Sequence, residues 1–170
     1  MQAAASSRSP SPIAMSEQSP AEAPVGNADA VRRVDILLVE DNLLDTRATF
    51  NAAQKLDIAA SINVVADGQA ALDYLRSNGA LGPAPGLILL DLNLPGKDGH
   101  DVLAEIRSDP ALQTTPVVIL TTSSDELDVR RAYTKGANAY ITKPTDLDGW
   151  LNAVSTINDF WLSLAKLPPR

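Results

Sequence analysis

The 170-residue chain contains no cysteine, a single histidine and no long apolar run. Without cysteine, disulfides, thiolate nucleophiles and zinc–thiolate sites are excluded. Basic residues are few, because 14 Lys and Arg stand against 21 Asp and Glu for a formal net charge of -7. This balance argues against a protein that binds nucleic acid through its charge. The apolar runs are far shorter than the about 20 residues of a membrane-spanning helix. We therefore expect a soluble protein with no membrane or nucleic-acid partner.

Nucleotide-binding motifs are also missing. Neither G-x-x-x-x-G-K-[ST] nor G-x-G-x-x-G occurs in the sequence, so we do not expect the chain to bind ATP itself. The only histidine, His100, follows Gly99 near the start of a predicted helix. We interpret His100 as a surface or helix residue and not as the partner of a nucleophile.

Residues 1–33 differ in composition from the rest of the chain. Pro10, Pro12, Pro20 and Pro24 lie among Ala, Ser and Gln, with no hydrophobic period. This pattern predicts a disordered tail. The segment has no continuous apolar stretch of the secretory type and contains the acidic residues that transit peptides avoid, so we expect a cytoplasmic protein.

From Val34 onward, short apolar runs alternate with segments of helical period. The alternation predicts βαβ units in an open parallel sheet, since five strands are too few for an eight-stranded barrel. We expect a doubly wound, flavodoxin-like α/β domain over residues 34–166, with strand order 2-1-3-4-5 and a short tail over 167–170. The predicted strands are 34–40, 62–66, 87–91, 116–121 and 139–142, and the predicted helices are 43–56, 68–77, 99–108, 125–135 and 146–166.

Acidic residues follow two of the predicted strands. Glu40 and Asp41 follow the first strand and Asp91 follows the third, which would be its neighbour in the sheet. Three carboxylates brought together repel one another, so a cation should lie among them, and Mg²⁺ prefers such oxygen ligands. An alternative is that an acidic residue after a strand only caps the next helix.

An aspartate at such a site can act as a nucleophile. A carboxylate is ionised at neutral pH without a general base and can attack phosphorus to form an aspartyl phosphate. Metal and lysine would neutralise the charge on the phosphoryl oxygens, and Lys143 follows the fifth strand.

Four segments together resemble the receiver domain of two-component response regulators. They are ILLVEDN, LILLDLNLPGKDG, VVILTTS and AYITKP, in this order across residues 34–166. The resemblance implies that Asp91 is the phosphoacceptor and that Glu40, Asp41, Asp91 and the backbone carbonyl of Asn93 bind Mg²⁺.

The same resemblance implies roles for residues of the fourth and fifth strands. Lys143 would pair with the acyl phosphate, and the Thr121 hydroxyl would turn toward the phosphoryl group. Tyr140 would be the aromatic switch residue that moves with Thr121, and the peptide bond before Pro144 would be cis.

The last predicted helix carries more apolar side chains than one sheet can cover. One stripe, suited to the core, comprises Leu147, Trp150, Leu151, Val154 and Trp161. A second stripe comprises Ile157, Phe160, Leu164 and Leu167. We expect the second stripe to form a symmetric homodimer interface. The alternative is that it folds back over its own domain.

The ending TINDFWLSLAKLPP and the internal run TTSSDELD resemble single-domain response regulators of bacterial phytochrome sensor kinases. The resemblance implies a stand-alone regulator that is phosphorylated by a sensor histidine kinase, dimerises through its C-terminal extension and signals by changing its partner-binding surface. It implies no enzymatic activity beyond assisting its own phosphorylation and dephosphorylation. A phosphorylation-independent adaptor, or a phosphorelay intermediate, remains open as the alternative.

Overall fold

A computed structural model describes residues 34–169, so the predicted disordered tail, 1–33, lies outside the described residues. Strands and helices alternate along the described chain. The strands are β1 (Val34–Val39), β2 (Ala60–Val65), β3 (Leu87–Leu90), β4 (Val117–Thr121) and β5 (Ala139–Thr142). The α-helices are α1 (Leu43–Lys55), α2 (Gly68–Arg76), α3 (Gly99–Ser108), α4 (Glu126–Thr134) and α5 (Leu147–Ile157), and a π-helical segment (Asn158–Leu164) follows α5.

The five strands form one parallel sheet in the order β2-β1-β3-β4-β5, which confirms the predicted topology. β1 and β3 are neighbours, with Val39 beside Leu90 at their carboxyl ends. The residues that directly follow these two strands therefore start from adjacent positions on one edge of the sheet.

Each α-helix begins after a residue whose side chain accepts a hydrogen bond from a backbone N–H of the first turn. The caps are Asn42, Asp67, Asp98, Asp125 and Asp146. Such a cap satisfies one of the N–H groups that a helix start leaves without an intrahelical partner. Because Asn42 caps α1, the side chain of Asp41 is not needed for that purpose.

Two apolar clusters enclose the sheet. Alternate residues of β1 belong to different clusters: Leu37 and Val39 join the larger one, with side chains of α2, α3 and α4. Ile36 and Leu38 join the smaller one, which includes side chains from the end of α5 and the π-helical segment. Burial on both faces is typical of a parallel sheet covered by crossover helices. None of the helices within residues 34–169 is long and apolar enough to cross a membrane.

The end of the chain departs from the predicted continuous helix over 146–166. The α-helix ends at Ile157, and Ile157 is only 5% exposed and packs in the smaller cluster, so its assignment to an exposed stripe is wrong. The reason is phase: a residue seven positions after buried Trp150 lies within about 20° of it around an α-helix. Leu147 is 49% exposed and not in the core, because it lies about 60° from Trp150 at the first position of the helix. Val154 is buried, as predicted.

Candidate functional site

The carboxyl ends of β1 and β3 bring three acidic side chains together. Backbone pairing continues one residue past each strand, because the Glu40 N–H donates to the Val65 carbonyl and the Asp91 N–H donates to the Val39 carbonyl, both at 3.0 Å. One carboxylate oxygen each from Glu40, Asp41 and Asp91 lies within 4.8 Å of the other two. We call these three residues the acid cluster.

The three residues of the acid cluster differ in exposure to solvent. Glu40 and Asp91 are 3% and 4% exposed, whereas Asp41 is exposed. Two of the three carboxylates are therefore held away from bulk water, and the third lies at the surface. Carboxylate oxygens in this arrangement fit a hard divalent cation such as Mg²⁺ or Mn²⁺.

Lys143 supplies the positive charge beside the acid cluster. Its Nζ, one residue beyond β5, lies 2.5 Å from Glu40 Oε2, 2.8 Å from Asp91 Oδ2 and 2.9 Å from Asp45 Oδ2. Burial lowers the Lys143 pKa, but hydrogen bonds to Asp91, Glu40 and Asp45 outweigh burial, so the Lys143 pKa is raised. The ammonium group of Lys143 therefore stays charged throughout the neutral range. The pKa of Glu40 is also raised, because burial outweighs the contact of its carboxylate with the lysine.

Asp45 was not among the site residues predicted from the sequence. This residue lies in the first turn of α1, where an acidic side chain is ordinarily explained by the helix dipole. Its position five residues after Glu40 was the available signal, since the first turn of the helix after β1 starts at the same sheet edge as the acid cluster.

Asn93 links the acid cluster to Thr121 at the end of β4. Its backbone N–H donates to Asp91 Oδ1 at 3.1 Å, and its Nδ2 donates to Thr121 Oγ1 at 3.3 Å. Thr121 is fully buried and Asn93 is exposed. The Thr121 hydroxyl thus lies one side chain away from Asp91.

Tyr140 lies half-buried on β5 and packs against the larger apolar cluster. Its hydroxyl donates to the carbonyl oxygen of Ser123 at 3.0 Å, and Ser123 Oγ donates to Asp128 Oδ2 at 2.7 Å. These two bonds connect β5 to the start of α4 through the loop after β4.

The expectation of a cis bond before Pro144 is wrong, because that peptide bond is trans.

His100 is buried, not a surface residue, although it does lie in a helix. A side chain at the preceding Gly99 would overlap the Asp91 carbonyl, so glycine lets the start of α3 pack directly on the segment after β3 and carries His100 inward. His100 Nε2 lies 3.6 Å from Asp128 Oδ1, and neither ring nitrogen has a hydrogen-bond partner among the described residues. His100 does not join the acid cluster.

Comparisons with known proteins agree with this geometry. The family model described as response regulator receiver domain matches residues 36–155. The response regulator Rcp1 of Synechocystis sp. is 44% identical over 135 residues, which cover 78% of this chain and 92% of Rcp1. The regulatory protein FilR2 of Methanothrix harundinacea is 41% identical over 134 residues, covering 78% and 86% of the two chains.

Two solved structures have the same fold. The phosphorylated cyanobacterial phytochrome response regulator RcpA is 45% identical, with a TM-score of 0.76 over 81% of this chain and 99% of RcpA. The Mn²⁺-bound form of Rcp1 is 43% identical, with a TM-score of 0.74 over 80% of this chain and 99% of Rcp1.

Proposed function

The chain belongs to the family of response regulator receiver domains, and from this premise we propose that Asp91 accepts a phosphoryl group from a sensor histidine kinase in a Mg²⁺-dependent reaction. Proteins of this family are signalling partners of sensor histidine kinases. One observation supports the assignment of Asp91. Among the three residues of the acid cluster, Asp91 is the one that contacts both Lys143 and Asn93.

Metal binding fits the residues present. Glu40, Asp41 and Asp91 would hold Mg²⁺ through carboxylate oxygens, and Asn93 would contribute its backbone carbonyl. A bound divalent cation supplies charge neutralisation for the phosphoryl oxygens.

The transfer step needs no general base in the receiver. An Asp91 carboxylate oxygen attacks the phosphorus of a phosphohistidine, an O–P bond forms and the P–N bond breaks. The imidazole nitrogen of the kinase keeps the electron pair of the broken bond. Lys143 neutralises charge on the phosphoryl group, and the Thr121 hydroxyl donates to it.

The signal follows from the added charge. A phosphoryl group brings roughly −1.5 to −2 charges and three strong acceptor oxygens to Asp91. Thr121 leaves its contact with Asn93 to reach those oxygens, and Tyr140 adjusts into the vacated volume. The surface formed by α4, β5 and α5 then changes shape, which alters partner binding.

Intact mass measurement tests this function. The protein is incubated with a small acyl phosphate, with and without Mg²⁺, and then weighed. We expect one added phosphoryl group that requires Mg²⁺ and is absent in Asp91→Asn. No added mass on the wild type would favour the phosphorylation-independent adaptor, and equal addition to Asp91→Asn would move the acceptor elsewhere.

We also propose that the protein forms a homodimer through the segment after α5. Phe160 and Leu164 are 49% and 76% exposed, and Leu167 beyond them is half-buried. The proposed interface therefore consists of these three residues and no longer includes Ile157, which is buried. Leu164→Ser should lower the molar mass in solution toward that of a monomer, whereas Leu127→Ser should not, although Leu127 on α4 is equally exposed at 74%. A monomeric wild type at micromolar concentration would contradict the dimer.

We propose a phytochrome-type histidine kinase as the donor and the cytoplasm as the compartment. The support is the similarity to RcpA, a cyanobacterial phytochrome response regulator. Phosphotransfer rates from several phosphorylated kinases, measured in competition, should favour the light-sensing kinase. A faster rate from a kinase of another class would contradict this partner.

A further inference from the structure

We propose that Asp45 is a positioning residue for phosphoryl transfer, which acts by holding the Lys143 ammonium group over Asp91. This inference rests on the proposed function of Asp91. Asp45 lies outside the acid cluster, so its effect should pass through the lysine and not through the metal.

The contacts of Lys143 carry the argument. An ammonium group has three N–H donors. Three carboxylate oxygens lie within 2.9 Å of Lys143 Nζ, one each from Glu40, Asp45 and Asp91. The ammonium group donates hydrogen bonds to Asp45 at 2.9 Å and to Asp91 at 2.8 Å, and it forms an ion pair with Glu40. The position of Nζ is therefore held from three sides. Without the charge of Asp45, one of the three contacts is weakened, and the lysine can leave the contact with Asp91 more readily through rotation of its long side chain.

The local backbone makes Asp45 available for this contact. An acid at the third position of a helix can bond the backbone N–H of the cap residue. Here the N–H of the cap, Asn42, donates instead to Glu40 Oε1 at 2.9 Å. The Asn42 side chain in turn accepts from the Asp45 N–H at 3.2 Å. The Asp45 backbone is therefore fixed by the cap, and its carboxylate is directed to Lys143.

Partial exposure sets Asp45 apart from the other two acceptors of the lysine. Its side chain is 23% exposed, against 2% for Glu40 and 5% for Asp91. When the phosphoryl group arrives on Asp91, one of the three donors must move to a phosphoryl oxygen. Water can replace the lysine at Asp45 more readily than at Glu40, so Asp45 can adjust while Glu40 keeps its bond.

The kinetic test compares the wild type with Asp45→Asn, which preserves shape and removes charge. The rate of phosphoryl transfer from a small acyl phosphate to the protein, which releases the free carboxylate, is measured as a function of the concentrations of Mg²⁺ and of acyl phosphate. We expect the maximal rate to fall about tenfold, as is typical when the partner that orients a functional group is lost. The half-saturating Mg²⁺ concentration should change much less. Asp148→Asn, an exposed first-turn acid of α5, is the matched control and should keep the wild-type rate.

A double-mutant cycle separates action through Lys143 from a general charge effect. In a Lys143→Ala background, Asp45→Asn should cause no further loss of rate. The inference is overturned by an equal effect in both backgrounds, by an unchanged rate in Asp45→Asn, or by a loss that saturating Mg²⁺ restores completely.

A nitrogen-15 NMR signal of the Lys143 ammonium group tests the same contact without phosphorylation. We expect Asp45→Asn to shift this signal and to speed the exchange of its protons with water, while Asp148→Asn leaves it in place. If the wild type takes up no phosphoryl group, the proposed function fails, and the NMR result still decides the contact. If the wild type is phosphorylated and neither the rate nor the signal responds to Asp45→Asn, only the role of Asp45 fails.

Discussion

The charged end of the sheet and the segment that follows α5 differ in what fixes their side chains. At the carboxyl ends of β1, β3 and β5, each functional residue follows a strand by one or two positions, so the sheet itself sets the location of Glu40, Asp91 and Lys143. In the C-terminal segment, the location of a side chain depends on helix phase accumulated over several turns. A change from α-helix to π-helix after Ile157 alters that phase for every residue that follows.

The two regions also use different forces. The charged end of the sheet is stabilised by pairs of buried charges, and a buried charge destabilises the fold if its partner is removed. The C-terminal segment is held by apolar packing, with Trp161 and Leu162 against the smaller cluster. The loss of stability caused by a substitution at the charged end of the sheet should therefore depend on Mg²⁺. The loss caused by a substitution in the C-terminal segment should not.

The largest effect on stability should come from removing the ammonium group of Lys143. Lys143→Ala leaves Glu40 and Asp91 buried with no positive partner, and we expect the free energy of unfolding to fall by about 3 kcal/mol in the absence of metal. Urea unfolding with and without Mg²⁺ measures this, and Mg²⁺ should restore part of the loss. Lys135→Ala is the control, because its Nζ contacts only the exposed carboxylate of Asp101 and the His100 carbonyl, and we expect the loss to be about 1 kcal/mol or less. Equal losses in the two variants would contradict the electrostatic account of this region.

The next largest effect should come from Trp161→Ala. This side chain is half-buried against the smaller cluster, so we expect a loss of about 2 kcal/mol, less than for a fully buried tryptophan. Urea unfolding should give the same loss with and without Mg²⁺. A loss that depends on Mg²⁺ would remove the distinction between the two regions.

Asp41→Asn should have a smaller effect of the opposite sign. Removal of one of three converging carboxylates relieves repulsion, so the metal-free protein should gain about 1 kcal/mol in unfolding free energy. The stabilisation that Mg²⁺ gives the wild type should be largely lost at the same time. Thermal unfolding over a Mg²⁺ titration measures both quantities, and a destabilised Asp41→Asn that still responds fully to Mg²⁺ would contradict the acid cluster as a metal site.

The smallest effect should lie at the edge of the charged region, in the pKa of Asp128. The hydrogen bond from Ser123 is the main cause that lowers this pKa, with a smaller contribution from His100. A lowered carboxyl pKa stabilises the fold above the usual aspartate range, and this stability is lost as the pH falls through the lowered value. Ser123→Ala should raise the pKa of Asp128 toward the ordinary value of an aspartate, measured by NMR titration. An unchanged pKa would show that the hydrogen bond does not form in solution.

The contrast between regions explains how far the sequence could be interpreted. Strand number, strand order and the convergence of Glu40, Asp41 and Asp91 follow from alternating apolar runs, because parallel strands place their carboxyl ends at one edge. The spacing of apolar residues could not predict that Ile157 is buried. The last helix has two apolar stripes, and only the position of the helix on the sheet determines which of them faces the core. His100 was misplaced for a related reason: its burial depends on the close approach that Gly99 permits, a tertiary contact that leaves no periodic pattern.

Asp45 illustrates a further limit. Its sequence context is that of an ordinary first-turn acid, and only the position of Lys143, 98 residues later, gives it a different role. Contacts between residues so distant in sequence can be inferred when topology dictates them, as for Glu40 and Asp91, but not when a side chain reaches across from a helix.

Phosphotransfer from a histidine kinase, followed by peptide-resolved mass spectrometry, tests the central claim most directly. A phosphorylated kinase is mixed with the protein and Mg²⁺, and the peptides are analysed before the phosphoryl group hydrolyses. We predict a single phosphoryl group located on Asp91, with transfer abolished by Asp91→Asn or by removal of Mg²⁺. A phosphoryl group on another residue, or transfer that proceeds unchanged without Mg²⁺, would contradict the account.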